Sequence, residues 1–188
     1  IFPGSQRSVR GLAPSLLDLP EHLVVYAFLL ERIGKPSVRH LASALNWIVV
    51  RGPAGGLAVI LNVRKFDAPV VRAAKQIAEE LQKVSLGVRA GFLYLDPSES
   101  EYYLEARRPA GTLSFKRLFG PGWLEVEAGG VRLRFPPTVF SQVNGAMLDV
   151  MTESVRGLLA PLEGCALLDL YCGYGLFALT TGRDAVQV

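Results

Sequence analysis

The 188-residue sequence is poor in cysteine, with only Cys165 and Cys172. Two thiols make no disulfide framework and are too few for a four-cysteine zinc or iron–sulfur centre. The two histidines, His22 and His40, have no partner nearby in sequence and read as surface residues; no metal is expected in this chain. Long apolar runs are also missing. The longest, Leu23 to Leu30, has eight residues, against the ~20 that a membrane-spanning helix needs. The opening Ile-Phe-Pro-Gly-Ser lacks the basic and apolar regions of a secretory leader. Charge of one sign is scarce too. Twenty Lys and Arg against seventeen Asp and Glu leave +3, which permits a nucleic-acid partner without demonstrating one. Reduced thiols, no membrane span and no leader together point to a cytoplasmic protein.

What is present suits a packed fold: half of the residues are hydrophobic and a fifth are charged. Residues 1–18 read as an irregular lead-in. Leu19 to Ile33 is predicted as a helix with Pro20 in its first turn and Leu23, Ala27 and Leu30 at helical spacing. Val38 to Leu45 is a short helix candidate. Asn46 to Arg51 and Leu57 to Lys65 are rich in Val and Ile, and Gly52 to Gly56 separates them as a hairpin loop. Pro69 to Leu86 carries Val70, Ala73, Ala74, Ile77, Leu81 and Val84 at helical spacing, with Lys75, Glu79, Glu80 and Lys83 opposite. Further strands are expected at Val88 to Leu95, Tyr102 to Ala106, Leu113 to Phe119, Trp123 to Glu127 and Val131 to Phe135, the last two joined by Gly129-Gly130.

From Pro136 the pattern changes. A helix is expected from about Gly145 to Leu159, with Met147, Val150, Met151, Val155, Leu158 and Leu159 on one face and Asn144 as its N-cap. Cys165 to Tyr171 is nearly continuous in apolar residues, as a central parallel strand is. The turn Cys172-Gly173-Tyr174-Gly175 follows, then a helix from Leu176, then Ala185 to Val188 as the start of a second strand. That order is βαβ, the beginning of a doubly wound sheet. Because the pattern stops in mid-course, a piece of a longer protein is expected.

The segment with chemistry in it is Leu167-Leu168-Asp169-Leu170-Tyr171-Cys172-Gly173-Tyr174-Gly175. Two glycines after an acidic strand end let the backbone pass close beneath a ligand, with no Cβ in the way. Ala178 takes the third position of a Gly-x-Gly-x-x-Gly/Ala fingerprint. A tight strand–helix turn holding nothing is the alternative for a bare Gly-x-Gly. Asp-x-x-Cys-Gly-x-Gly resembles motif I of the Rossmann-like S-adenosylmethionine methyltransferases. Upstream, Phe140-Ser141-Gln142-Val143-Asn144, then a helix, then Asp-Leu-Tyr-Cys-Gly-x-Gly, resembles the RNA uracil-5-methyltransferases, sharply over residues 135–180. Residues 1–118 correspond to that family's variable central region.

The resemblance implies a fold and a set of roles. The fold is α/β: the start of a Rossmann-like methyltransferase sheet over 136–188, truncated, preceded by an α+β central region over 1–135 that could face RNA. The cofactor implied is S-adenosyl-L-methionine, contacted by Gln142, Tyr171, Gly173 and Gly175, with Phe140 near the target nucleotide. The substrate implied is a uridine in tRNA or rRNA, methylated at C5. Leu176 stands where the family often has Asn, and it cannot supply that hydrogen bond. The family's nucleophilic cysteine and general base are expected beyond Val188, and neither Cys165, starting a buried strand, nor Cys172, in the glycine loop, stands in the nucleophile's setting. The chain alone is therefore expected to be inactive. Arg107, Arg108, Lys116, Arg117, Arg132 and Arg134 could neutralise phosphates if they share a face; an ordinary solvated strand face is the alternative. The competing readings are another Rossmann-like methyltransferase, acting on a different RNA base or a small molecule, and a non-catalytic RNA-binding fragment.

Overall fold

The computed structural model describes residues 18–84, 86–97 and 114–188. The chain divides into two compact units between Pro121 and Gly122. The hairpin expected to close the first region thus belongs to the second unit. The expected lead-in, apart from Asp18, and the strand at Tyr102 to Ala106 lie outside the described residues.

The first unit contains α1 (Pro20–Ile33), α2 (Arg39–Ala44), β1 (Leu45–Arg51), β2 (Leu57–Val63), α3 (Ala68–Lys83), β3 (Val88–Leu95) and β4 (Ser114–Phe119). Its sheet runs β1-β2-β3-β4. β1 and β2 form the expected hairpin, and β4 adds antiparallel to β3. β2 and β3 are parallel. A parallel pair cannot close through a tight turn, and α3 is the crossover that joins them. The unit is accordingly a mixed sheet with one parallel pair, where an α+β region of hairpin, helix and further strands was expected.

β2 is buried along its whole length, as a central strand should be. Its Leu57, Val59, Leu61 and Val63 pack with Val70, Ala73, Ala74, Ile77 and Leu81 of α3, the apolar stripe that the helical spacing predicts except for Val84, which follows the helix end and is exposed. Asp67 starts α3, accepting the Val70 N–H at 2.9 Å. α1 corrects the expected face: Val25 and Leu29 are buried, whereas Leu23, Ala27 and Leu30 are exposed. The helix is apolar almost all round, so spacing alone could not choose the stripe. Arg32 of α1 pairs with Glu80 of α3 at 3.1 Å. His22 is half-buried rather than at the surface; its Nδ1 accepts the Leu19 N–H at 3.3 Å. At the carboxyl ends of β2 and β3, the Asn46 amide donates to Asn62 Oδ1 at 3.1 Å and to the Asp96 carbonyl at 2.9 Å.

The second unit contains β5 (Leu124–Ala128), β6 (Val131–Phe135), α4 (Leu148–Leu159) and α5 (Leu176–Thr180). β5 and β6 form the expected hairpin through Gly129-Gly130. Ala128, Leu133, Leu148 and Leu176 make its core, flanked by Val126, Val131, Tyr174 and Phe177. Asp149 accepts the Gly129 N–H at 2.8 Å, tying the hairpin tip to the first turn of α4. Arg156 Nη2 donates to the Thr180 carbonyl at 2.7 Å, tying α4 to α5.

Three expectations are corrected here. α4 buries Leu148 and Thr152, while Met147, Val150, Leu158 and Leu159 of the anticipated apolar face are exposed. Asn144 precedes a 3-10 turn over Gly145–Met147 and makes no side-chain cap bond. Cys165 to Tyr171 is not a buried strand: its one ladder contact is a parallel bridge between Ala166 and Gln187, and Leu168 and Leu170 are 79% and 70% exposed. A central strand owes its burial to neighbours on both edges and layers on both faces. Among the described residues only the segment at Gln187 supplies an edge. The bridge is parallel, so the chain direction agrees with a βαβ order.

Candidate functional site

The glycine turn is built by backbone conformation. Gly173 and Gly175 both take positive φ, 59° and 81°, a region that side chains with a Cβ rarely enter. Tyr171 does so as well, at 60°, without being glycine. The Gly175 N–H closes the turn on the Cys172 carbonyl at 2.8 Å. A Cβ on Gly173 would meet nothing within 4 Å, so the loop faces open space there. At Gly175 a Cβ would lie 3.0 Å from the Leu179 side chain.

Asp169 was not among the expected site residues, yet it organises the turn. Its Oδ2 accepts the Ala178 N–H of α5 at 3.1 Å. This satisfies one of the helix's otherwise orphaned first-turn donors from nine positions upstream. The signal was present in the sequence as an acidic residue just before Gly-x-Gly at a helix start. Tyr174 also went unassigned. Its ring lies 4.4 Å from that of Phe135 at the end of β6, so the glycine turn rests on the root of the 136–144 segment.

Tyr171, Gly173 and Gly175 are thus brought together in one loop, with Tyr171 fully exposed. Phe140 and Gln142 lie on the irregular stretch between β6 and α4. Phe140 is 61% exposed rather than core, and Gln142 is half-buried. Among the described residues, no side-chain hydrogen bond or ring contact joins these two residues to the loop. Leu176 is buried in the unit's core. Both cysteines are free and exposed, which corrects the buried position expected for Cys165.

The anticipated basic face is not assembled. Arg132 and Arg134 do share the outer side of the hairpin, but Glu125 pairs with both, at 3.4 and 2.7 Å. The Arg134 guanidinium lies 5.5 Å from the centre of the Trp123 ring. Lys116 and Arg117 are successive residues of β4, in the other unit, and point to opposite sides of the sheet. Arg107 and Arg108 lie outside the described residues. No group of acidic, histidine and cysteine side chains suited to a metal occurs among the described residues, and no helix there is long and apolar enough to cross a membrane.

The chain is thus of the α/β class, with a mixed sheet in its first unit and, in its second, a glycine turn leading into a helix and tied to it by an upstream carboxylate. Comparison with known proteins narrows this class. No family model matches the chain. Individual relatives do, and those compared share one description, 23S rRNA (uracil(1939)-C(5))-methyltransferase RlmD. The protein of Paraburkholderia xenovorans is 42% identical over 134 residues, 71% of this chain and 25% of that protein. The protein of Acidithiobacillus ferrooxidans is 48% identical over 58 residues, 31% of this chain and 13% of that protein. The protein of Burkholderia pseudomallei is 33% identical over 95 residues, half of this chain and 20% of that protein. The chain is a relative of the RNA uracil-5-methyltransferases, and it spans a quarter or less of the length of these curated relatives.

Proposed function

We propose that this chain is part of an S-adenosylmethionine-dependent methyltransferase that modifies C5 of a uridine in ribosomal RNA. The observation that carries the reading is the likeness to the RlmD proteins, which reaches 134 residues; the 23S rRNA in their name favours rRNA over tRNA. In this reading residues 122–188 contribute the beginning of a Rossmann-like cofactor domain, and the protein works in the cytoplasm.

The residues present fit the cofactor. The loop is open above Gly173, and the exposed Tyr171 offers an aromatic face. Gln142 carries an amide able to donate and accept. Gly173 and Gly175 would let the backbone approach the cofactor's amino-acid end, Tyr171 would pack against it, and Gln142 would bond a polar edge. When bound, S-adenosylmethionine supplies an electrophilic methyl group. Asp169 acts through the turn: by holding α5 at Ala178 it keeps Gly173 and Gly175 in their left-handed conformations. Phe140, exposed close to the segment's root, would stack on an unpaired base.

Equilibrium dialysis with radiolabelled S-adenosylmethionine tests this. Weak, saturable binding is expected, displaced by S-adenosylhomocysteine and lost in Gly175→Val, where a branched side chain meets both a positive φ and Leu179. Binding unchanged in that variant would remove the glycine turn from the cofactor site.

A further inference from the structure

The positive charge of this chain is unevenly placed. Residues 1–121 hold sixteen Lys and Arg against ten Asp and Glu, whereas residues 122–188 hold four against seven. The first unit is thus at +6 and the second at −3 with histidine neutral. Between Arg32 and Ala78 there are eight Lys and Arg, and Asp67 is the sole acidic residue.

The fold gathers several of these on one side of the first unit. The Arg64 N–H bonds the Ala44 carbonyl at 2.9 Å, and its guanidinium bonds the Ser43 carbonyl at 2.6 Å. That seats the β2–α3 loop against the end of α2. Lys65 reaches Asp67 at 2.6 Å, and His40, at the start of α2, is near enough to help lower the Asp67 carboxyl. Arg72 and Lys75 continue from there along the exposed stripe of α3. Arg39, His40, Arg64, Lys65, Arg72 and Lys75 are all exposed. Arg39, Arg72 and Lys75 have no carboxylate partner among the described residues.

We propose that this face, running from the start of α2 across the β2–α3 loop to the first turns of α3, binds the phosphate backbone of the RNA substrate. The partner rests on the methyltransferase reading; the site does not, and it lies in the unit without the glycine turn. A polyanion fits because the face carries six basic or histidine side chains and Asp67 as its acid through the first two turns of α3, with Glu79 following one turn beyond Lys75. An anionic membrane fits less well: peripheral binding there uses apolar side chains that insert, and of the large exposed apolar residues of the first unit Leu23, Val24, Leu30 and Phe115 lie on other elements and Val84 at the far end of α3. The residues expected from sequence to form a basic face are not the ones the fold brings together.

The test is fluorescence anisotropy of the 188-residue chain with a fluorescein-labelled RNA stem–loop bearing unpaired uridines, titrated over a range of salt. The triple variant Arg39→Gln, Lys65→Gln, Arg72→Gln should bind at least about tenfold more weakly. Its slope of log K against log salt should be shallower by about 2 to 3, since each phosphate contact contributes roughly 0.7 to 0.9. The control triple Lys83→Gln, Lys116→Gln, Arg117→Gln removes the same charge elsewhere on the unit and should bind like the parent. Circular dichroism checks both folds; if the first triple is unfolded, Arg72→Gln alone is used, with a slope shallower by about 0.7 to 0.9 expected. Equal weakening by the two triples, no change in either, or no RNA binding by the parent chain would overturn the proposal. Patch-dependent binding to phosphatidylserine vesicles with none to RNA would overturn it in favour of a membrane. Failure of cofactor dialysis would leave this result standing, because the two measurements probe different units.

Discussion

Asp67 shows how much one side chain decides locally. It caps α3, and its carboxyl is held below the ordinary carboxylate range, first by the Lys65 ammonium it bonds and then by the Val70 N–H. A carboxyl whose pKa is lower folded than unfolded stabilises the fold while ionised. Its contribution is complete above the unfolded value, about 3.8, and is lost as pH falls through the folded value. The melting temperature of Asp67→Asn should therefore fall less steeply than that of the parent below about pH 4. At neutral pH the two should differ little, because Asn is also a good N-cap. Thermal melts across that range read the difference, and parallel acid limbs would show that Asp67 is uncoupled from folding. The cap was visible in sequence as Asp before Ala-Pro; the Lys65 partner followed from the loop's shape. At Asp169 the order is reversed. Its place in the motif was plain, but its bond to Ala178 needed the turn to bring the two together.

Two segments whose apolar patterns both predict burial behave differently. α3 has one apolar stripe and one charged stripe, so its orientation was legible, and the structure buries Val70, Ala73, Ala74, Ile77, Ala78 and Leu81 against the sheet. Residues 165–171 have an apolar run interrupted only by Asp169, which records a demand for neighbours without naming them. Truncating Ile77 to Ala should cost about 2–5 kcal/mol, since the side chain is fully buried and leaves a cavity. Truncating Leu168, 79% exposed, should change stability by no more than about 0.5 kcal/mol. Chemical denaturation of both variants of the 188-residue chain provides the comparison. A loss of more than about 1 kcal/mol at Leu168 would mean that the segment is packed in solution.

For the molecule as a whole, the two units divide the labour proposed for it: a basic mixed sheet for RNA and an acidic unit with the glycine turn for the cofactor. Methyl transfer to uracil C5 needs a thiolate to add at C6, because C5 is otherwise a poor carbon nucleophile. Cys172 is part of the glycine turn and Cys165 precedes the Ala166 bridge, and neither is proposed as that thiolate. Incubation of this chain with labelled cofactor and unmodified ribosomal RNA should leave the RNA unlabelled. Label in 5-methyluridine that disappears on Cys165→Ala or Cys172→Ala would show that one of these thiols is the nucleophile.

Sequence by itself determined what depends on short-range periodicity and backbone chemistry: the β1–β2 and β5–β6 hairpins, the start and inner face of α3, and the glycine turn into α5. It also carried the family likeness, through Phe-x-Gln and Asp-x-x-Cys-Gly-x-Gly. Only the tertiary structure decided which strands run parallel, which stripe of α1 is buried and which arginines share a face. Those choices depend on contacts between residues far apart in the chain. Arg134 illustrates the difference: its place on a strand could be read from alternation, but its pairing with Glu125 required the register of two strands.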